Sequence, residues 1–126
     1  MARMAEAERT TRETSITAKL NLDGSGEAKL DYPVGFMAHM LSAFAQHGLF
    51  DLEIRARGDL EVDQHHLVED TGLVLGQCFA KALGERRGIR RVGSCFFPIS
   101  PLWFGLFCFG TFNFFKSLSE LFHTLP

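Results

Sequence analysis

The segment from about Gln64 to Leu83 limits the fold of this chain more than any other. Leu67, Val68, Val74, Leu75, Phe79 and Leu83 make it apolar over much of a helical circumference, and a helix of that kind must be covered. Asp63 can cap its start, and Gly84 closes it. Its opening has another character: Asp63-Gln64-His65-His66-Leu67-Val68-Glu69-Asp70 sets two adjacent imidazoles beside a carboxylate. His65 and Glu69, four residues apart, share a face and can grip one ion. His66 is turned away by about 100° and points at something else. A single metal would not need both histidines, whereas two metals on either side of one helix would.

The segments around this helix supply partners for its apolar surface. Thr14 to Leu22 alternates, with Ile16, Ala18 and Leu20 on one face and Ser15, Thr17 and Lys19 on the other, which predicts a strand. Asp23-Gly24-Ser25-Gly26 is a turn signal, so Glu27 to Tyr32 is expected to return as the second strand of a hairpin. Pro33 ends that strand. Val34 to His47 predicts a first helix with a stripe of Phe36, Met40, Leu41 and Phe44, stopped by Gly48. Phe50 to Arg57 alternates cleanly, Leu52, Ile54 and Ala56 against Asp51, Glu53, Arg55 and Arg57. Gly58-Asp59 turns the chain, Leu60-Glu61-Val62 reads as a short strand, and Ile89 to Phe97 as a last one. The order β-β-α-β-β-α-β predicts an α+β fold: an antiparallel-rich sheet with two helices on one face.

A chain of 126 residues is expected to form one domain with a modest core. A net charge of −2 argues against nucleic acid or an anionic membrane as the main partner. Met1 to Arg12 is charged and lacks an apolar h-region, so no secretory signal is expected. Cys78, Cys95 and Cys108 form no CxxC pair, which suits free thiols in a reducing cytoplasm. Composition breaks near Pro98. Beyond it only Lys116 and Glu120 are charged, and Phe104, Phe107, Phe109, Phe112, Phe114, Phe115 and Trp103 crowd together.

Several motifs follow one another in order along the chain. They are Arg9-Thr10-Thr11-Arg12-Glu13-Thr14, Leu22-Asp23-Gly24-Ser25-Gly26, Gly35-Phe36-Met37-Ala38-His39-Met40-Leu41 and His47-Gly48-Leu49-Phe50-Asp51-Leu52. Gly58-Asp59-Leu60, Val62-Asp63-Gln64-His65-His66, Glu69-Asp70-Thr71-Gly72, Ala82-Leu83-Gly84 and Gly88-Ile89-Arg90-Arg91-Val92-Gly93 follow in order. Taken together, these motifs resemble the first half of the imidazoleglycerol-phosphate dehydratase family, and the resemblance divides the chain into a disordered terminus (1–8), a dehydratase-like half-domain (9–98) and a divergent aromatic-rich tail (99–126). It implies a duplicated fold whose halves pack helix to helix, in a trimer-based homo-oligomer with di-manganese sites at subunit contacts. Where the family usually has an aspartate before the histidine of the first helix, this chain has Ala38. The family's second half, with another paired-histidine helix, has no counterpart after Ile99.

By resemblance, His39, His65, His66 and Glu69 are metal ligands, Glu13 is the acid/base and Arg91 contacts the substrate phosphate. By themselves the same residues have plainer readings. His65, His66 and Glu69 can be a polar helix face. His39 can be a solvated histidine, and His47 can favour a helix C-terminus. Glu13 can be an ordinary carboxylate, and Arg91 one of a surface cluster with Arg86, Arg87 and Arg90. Imidazole and carboxylate donors suit Mn²⁺, Fe²⁺ or Zn²⁺ alike; the resemblance selects manganese. The implied reaction removes water from imidazoleglycerol phosphate to give imidazole-acetol phosphate. The departing proton sits on a carbon with no adjacent carbonyl, so the substrate's imidazole must act as the electron sink, helped by Lewis-acid metals, while a carboxylate moves the proton.

Since the resemblance draws each metal's ligands from both halves, the chain is expected to be truncated and inactive alone. A half-domain docking on full-length subunits is the contrasting expectation. The tail admits three readings: a membrane tether, a packed replacement for the absent half, or exposed and sticky chain.

Overall fold

The computed structural model describes residues 2–90, 92–99 and 102–109. It divides into two compact units, Met1–Gly84 and Glu85–Pro126, so the division falls before the composition break at Pro98. In the first unit the elements are β1 (Met4–Thr10), β2 (Thr14–Asn21), β3 (Ala28–Asp31), α1 (Gly35–Gly48), β4 (Asp51–Gly58) and α2 (His65–Leu83). The second contains β5 (Val92–Ile99) and β6 (Leu102–Phe109), an antiparallel pair running from Val92↔Phe109 to Ile99↔Leu102.

The sheet of the first unit has the order β1-β2-β4-β3. The alternation seen in the sequence holds in β2 and β4. Ile16 pairs with Ala56, Ala18 with Ile54 and Leu20 with Leu52, and all six are buried on one face. α2 packs over β1 and β2, and α1 over β3 and β4. The α+β fold with both helices on one face is therefore present.

Three expectations are corrected. First, the expected hairpin is absent: the sheet is antiparallel-rich as expected, through β1 with β2 and β2 with β4, but it is mixed at β3. β3 does not return beside β2; it pairs in parallel with β4, Ala28↔Leu52 through Asp31↔Arg55. β3, α1 and β4 form a crossover unit, the connection that parallel neighbours require. The Asp23–Gly26 segment is thus a crossing loop rather than a hairpin turn. Asp51, at the start of β4, holds it: its Oδ1 accepts the N–H groups of Ser25, Gly26 and Glu27 at 2.8, 3.2 and 3.0 Å. Those donors, Ser25 first, hold the Asp51 carboxyl below its ordinary range. Gly26 sits at φ +96°, which only glycine adopts without strain.

Second, residues 4–8 belong to β1 rather than to a disordered terminus. β1 pairs with β2 from Met4↔Asn21 to Thr10↔Ser15, and its Ala7 is buried. One inward alanine carries little hydrophobic signal, so the strand depends on ladder hydrogen bonds. Third, Leu60–Val62 is not a strand. The Asp59 carbonyl accepts the N–H of Val62 at 2.9 Å and of Asp63 at 3.3 Å, which closes a turn.

The helices run close to their expected spans, but α1 is rotated. Met37, Leu41 and Ala45 are buried, while Phe36 is 55% exposed. Gly48 is the last residue of the helix, and Leu49 rather than a glycine takes the left-handed cap position that follows, at φ 55°. In α2, Leu67, Thr71, Val74, Leu75 and Cys78 are fully buried. Phe44 of α1, Phe79 of α2 and Phe50, just before β4, cluster with ring centroids 4.9 to 5.9 Å apart.

Candidate metal and acid–base site

The pairing of β2 with β4 determines which polar side chains meet. Thr14 lies opposite Gly58, so the residue before β2, Glu13, and the residue after β4, Asp59, come together at one end of the sheet. α2 starts six residues beyond Asp59 and closes over the same end. Gly58 permits this: a Cβ there would lie 3.0 Å from the Cβ of Leu67. β3 also ends there, since it runs parallel to β4, and α1 departs from that end carrying His39 in its second turn.

The α2 opening divides as its period requires. His65 Nε2 lies 3.1 Å from Glu69 Oε1. His66 points elsewhere: its Nδ1 is 3.0 Å from Asp59 Oδ2 and 4.0 Å from Glu13 Oε2. The two rings are 5.9 Å apart and inclined at 70°. The hydrogen bond to Asp59, then the nearby charge of Glu13, raises the His66 pKa above its ordinary value. Asp63 does not cap the helix. Its carboxylate takes only the N–H of Gln64, and no side chain caps the first turn.

Glu13 is held by a network. Thr11 Oγ1 accepts the N–H of Glu13 at 3.1 Å and of Thr14 at 3.0 Å. Thr14 Oγ1 donates to Asp70 Oδ2 at 2.5 Å, and Arg9 Nε donates to Asp70 Oδ1 at 2.9 Å. Asp70, nearly buried, thereby ties the loop bearing Glu13 to the helix bearing His66. Tyr32 anchors the same helix, its hydroxyl 2.9 Å from Thr71 Oγ1, and burial pushes its pKa up to about 12.

Of the residues singled out in the sequence, His65 with Glu69 and His66 with Glu13 are brought together as two groups on different sides of one helical turn. His39 is exposed and joins neither. Arg91 lies outside the described residues. Asp59, Asp70, Thr11 and Arg9 were not singled out. Their only trace in the sequence is that Gly58-Asp59, Glu69-Asp70 and Arg9–Thr14 lie inside the ordered motifs.

The donor types, imidazole with carboxylate and a second imidazole whose other nitrogen is bound to a carboxylate, suit a first-row divalent cation without selecting among Mn²⁺, Fe²⁺ and Zn²⁺. Among the described residues, however, no three His, Cys, Asp or Glu side chains gather as a metal site. These residues can furnish part of a coordination shell. No helix among the described residues is long and apolar enough to cross a membrane.

The fold, with paired imidazoles on a buried helix and a carboxylate at the sheet end, is that of a hydro-lyase family. The family model of imidazoleglycerol-phosphate dehydratase matches residues 33–101, and the chain belongs to that family. It is 56% identical over 99 residues to the imidazoleglycerol-phosphate dehydratase of Acetivibrio thermocellus, covering 79% of this chain and 51% of that protein. To that of Paraburkholderia xenovorans it is 57% identical over 97 residues, covering 77% and 50%. The crystal structure of imidazoleglycerol-phosphate dehydratase from Staphylococcus aureus superposes with a TM-score of 0.59 at 26% identity, covering 79% of this chain and 54% of that one. The chain spans about half the length of the curated relatives it matches.

Proposed function

We propose that this chain carries half of the metal and acid–base machinery of an imidazoleglycerol-phosphate dehydratase, which eliminates water from imidazoleglycerol phosphate to give imidazole-acetol phosphate in histidine biosynthesis. The observation that supports it most is the division of one helical turn: His65 paired with Glu69 on one side, His66 facing Glu13 and Asp59 on the other. His65 and Glu69 serve one cation, His66 a second, and His39 completes this chain's contribution. Manganese bound there supplies Lewis acidity toward the substrate's imidazole. Glu13, fixed through Thr11, Thr14 and Asp70, accepts the proton from the substrate carbon and can return it to the departing hydroxyl. Arg91 supplies a guanidinium for the phosphate, whose geometry it matches.

Since fewer than three donors gather around either position among the described residues, turnover needs ligands from elsewhere. We place them on a second half or a neighbouring subunit of a trimer-based assembly. The test is an imidazole-acetol phosphate assay with Mn²⁺, using the purified chain alone and then co-expressed with an intact family member. The chain alone is expected to be inactive and to co-purify with the intact subunit. Dehydration by the chain alone would overturn the incomplete shell, and failure of both Mn²⁺ binding and co-purification would overturn the assignment.

A further inference from the structure

Asp59 takes no part in the chemistry proposed above, yet its setting is unusual. One carboxylate oxygen, Oδ2, is 3.0 Å from His66 Nδ1. The other, Oδ1, is buried and has no hydrogen-bond partner among the described residues. A buried oxygen without a donor is unfavourable, so packing stability does not account for an aspartate here. Its backbone is well supported, because its carbonyl closes the turn into α2 by accepting from Val62 and Asp63. The side chain therefore reaches His66 from a rigid base.

The consequence falls on the imidazole. A carboxylate can only accept from a neutral ring, so Nδ1 must carry the hydrogen and Nε2 keeps its lone pair. Glu13 cannot impose this, since at 4.0 Å it is beyond hydrogen-bond range of Nδ1. The His66 side chain is 39% exposed, which leaves the ring accessible.

We propose that Asp59 is the positioning residue of His66, fixing the ring's orientation and its Nδ1–H tautomer so that Nε2 is presented to a divalent cation. This deepens the proposed function and rests on its placing of His66 among the metal ligands.

The test reads the tautomer first, without metal. Long-range ¹H–¹⁵N correlation spectra of the full chain, taken at alkaline pH where the ring is neutral, are expected to show His66 protonated at Nδ1. Asp59→Ala should shift it toward the Nε2–H form, and Asp59→Asn should retain Nδ1–H through its carboxamide oxygen. Nε2–H in the unsubstituted chain, or an unchanged tautomer in Asp59→Ala, overturns the proposal. The unsubstituted chain decides the point even if Asp59→Ala fails to fold. Mn²⁺ titration, followed by paramagnetic broadening of the His65 and His66 signals, is expected to show about 10- to 100-fold weaker binding for Asp59→Ala and recovery in Asp59→Asn. Equal affinity in all three overturns the link to the metal. An Nδ1–H tautomer with no broadening at either histidine would instead sink the proposed metal function while supporting Asp59's hold on the ring.

Discussion

Val74, Leu75 and Cys78, in the body of α2, are sealed against the sheet, whereas His65, His66 and Glu69 in its first turns are only partly covered and held by polar contacts. One helix thus has a part that cannot move without opening the core and a part whose side chains are placed by a few directed bonds. The first suits a scaffold and the second a ligand shell. Asp70 and Thr71 join the two, since they are buried yet polar and tie the helix to the Glu13 loop and to Tyr32.

Substitutions along α2 should separate these roles. Leu75→Ala, at a fully buried position, is expected to cost about 2–5 kcal/mol. Denaturant unfolding that registers less than 1 kcal/mol would mean the body is not the scaffold. Asp70→Ala leaves Thr14 and Arg9 without their acceptor and is expected to cost about 1–3 kcal/mol. The same variant should loosen the Glu13 loop, seen as faster amide exchange at Glu13 and Thr14. Unchanged exchange there would confine Asp70 to the scaffold.

Tyr32→Phe removes one buried hydroxyl contact and is expected to cost about 1 kcal/mol at neutral pH, and it carries a pH signature. The Tyr32 pKa is about 12 in the folded chain, against about 10 unfolded. Its neutral form is therefore favoured by folding. That stability is fully present below about pH 10 and is lost progressively as pH rises toward 12. Tyr32→Phe should flatten this alkaline loss, and an unaltered slope between those limits would assign it to other groups. At the small end, His65→Ala is expected to change stability by less than about 0.5 kcal/mol while weakening Mn²⁺ binding. A large loss of stability would place His65 with the scaffold instead.

Much of the fold was legible because its signals are local. The alternation in Thr14–Leu22 and Phe50–Arg57 and the long apolar segment after His66 matched β2, β4 and α2. Where a pattern admitted two answers, the sequence chose less well. On α1, the stripe through Phe36 and the one through Met37 share Leu41, and only packing on β3 and β4 selects the latter. The Asp23–Gly26 segment suits a hairpin or a crossing loop equally, and three N–H bonds to Asp51, some 25 residues on, make it the latter. Asp59 and Asp70 were not legible as site residues, because nothing in an isolated aspartate tells which histidine or threonine it will face.

The sequence by itself determined that His65 and Glu69 share a side of a helix while His66 turns from them, because the helical period links residues one turn apart whatever surrounds them. It also determined that β2 and β4 bury one face each, through the two-residue period of a strand. Tertiary structure decided that β3 lies parallel to β4, that Glu13 and Asp59 meet at one sheet end, and that both face His66. These are contacts between distant stretches of chain. Side-chain periodicity tells which face of an element is apolar but not which neighbour covers it, and strand pairing with helix packing supplies that choice.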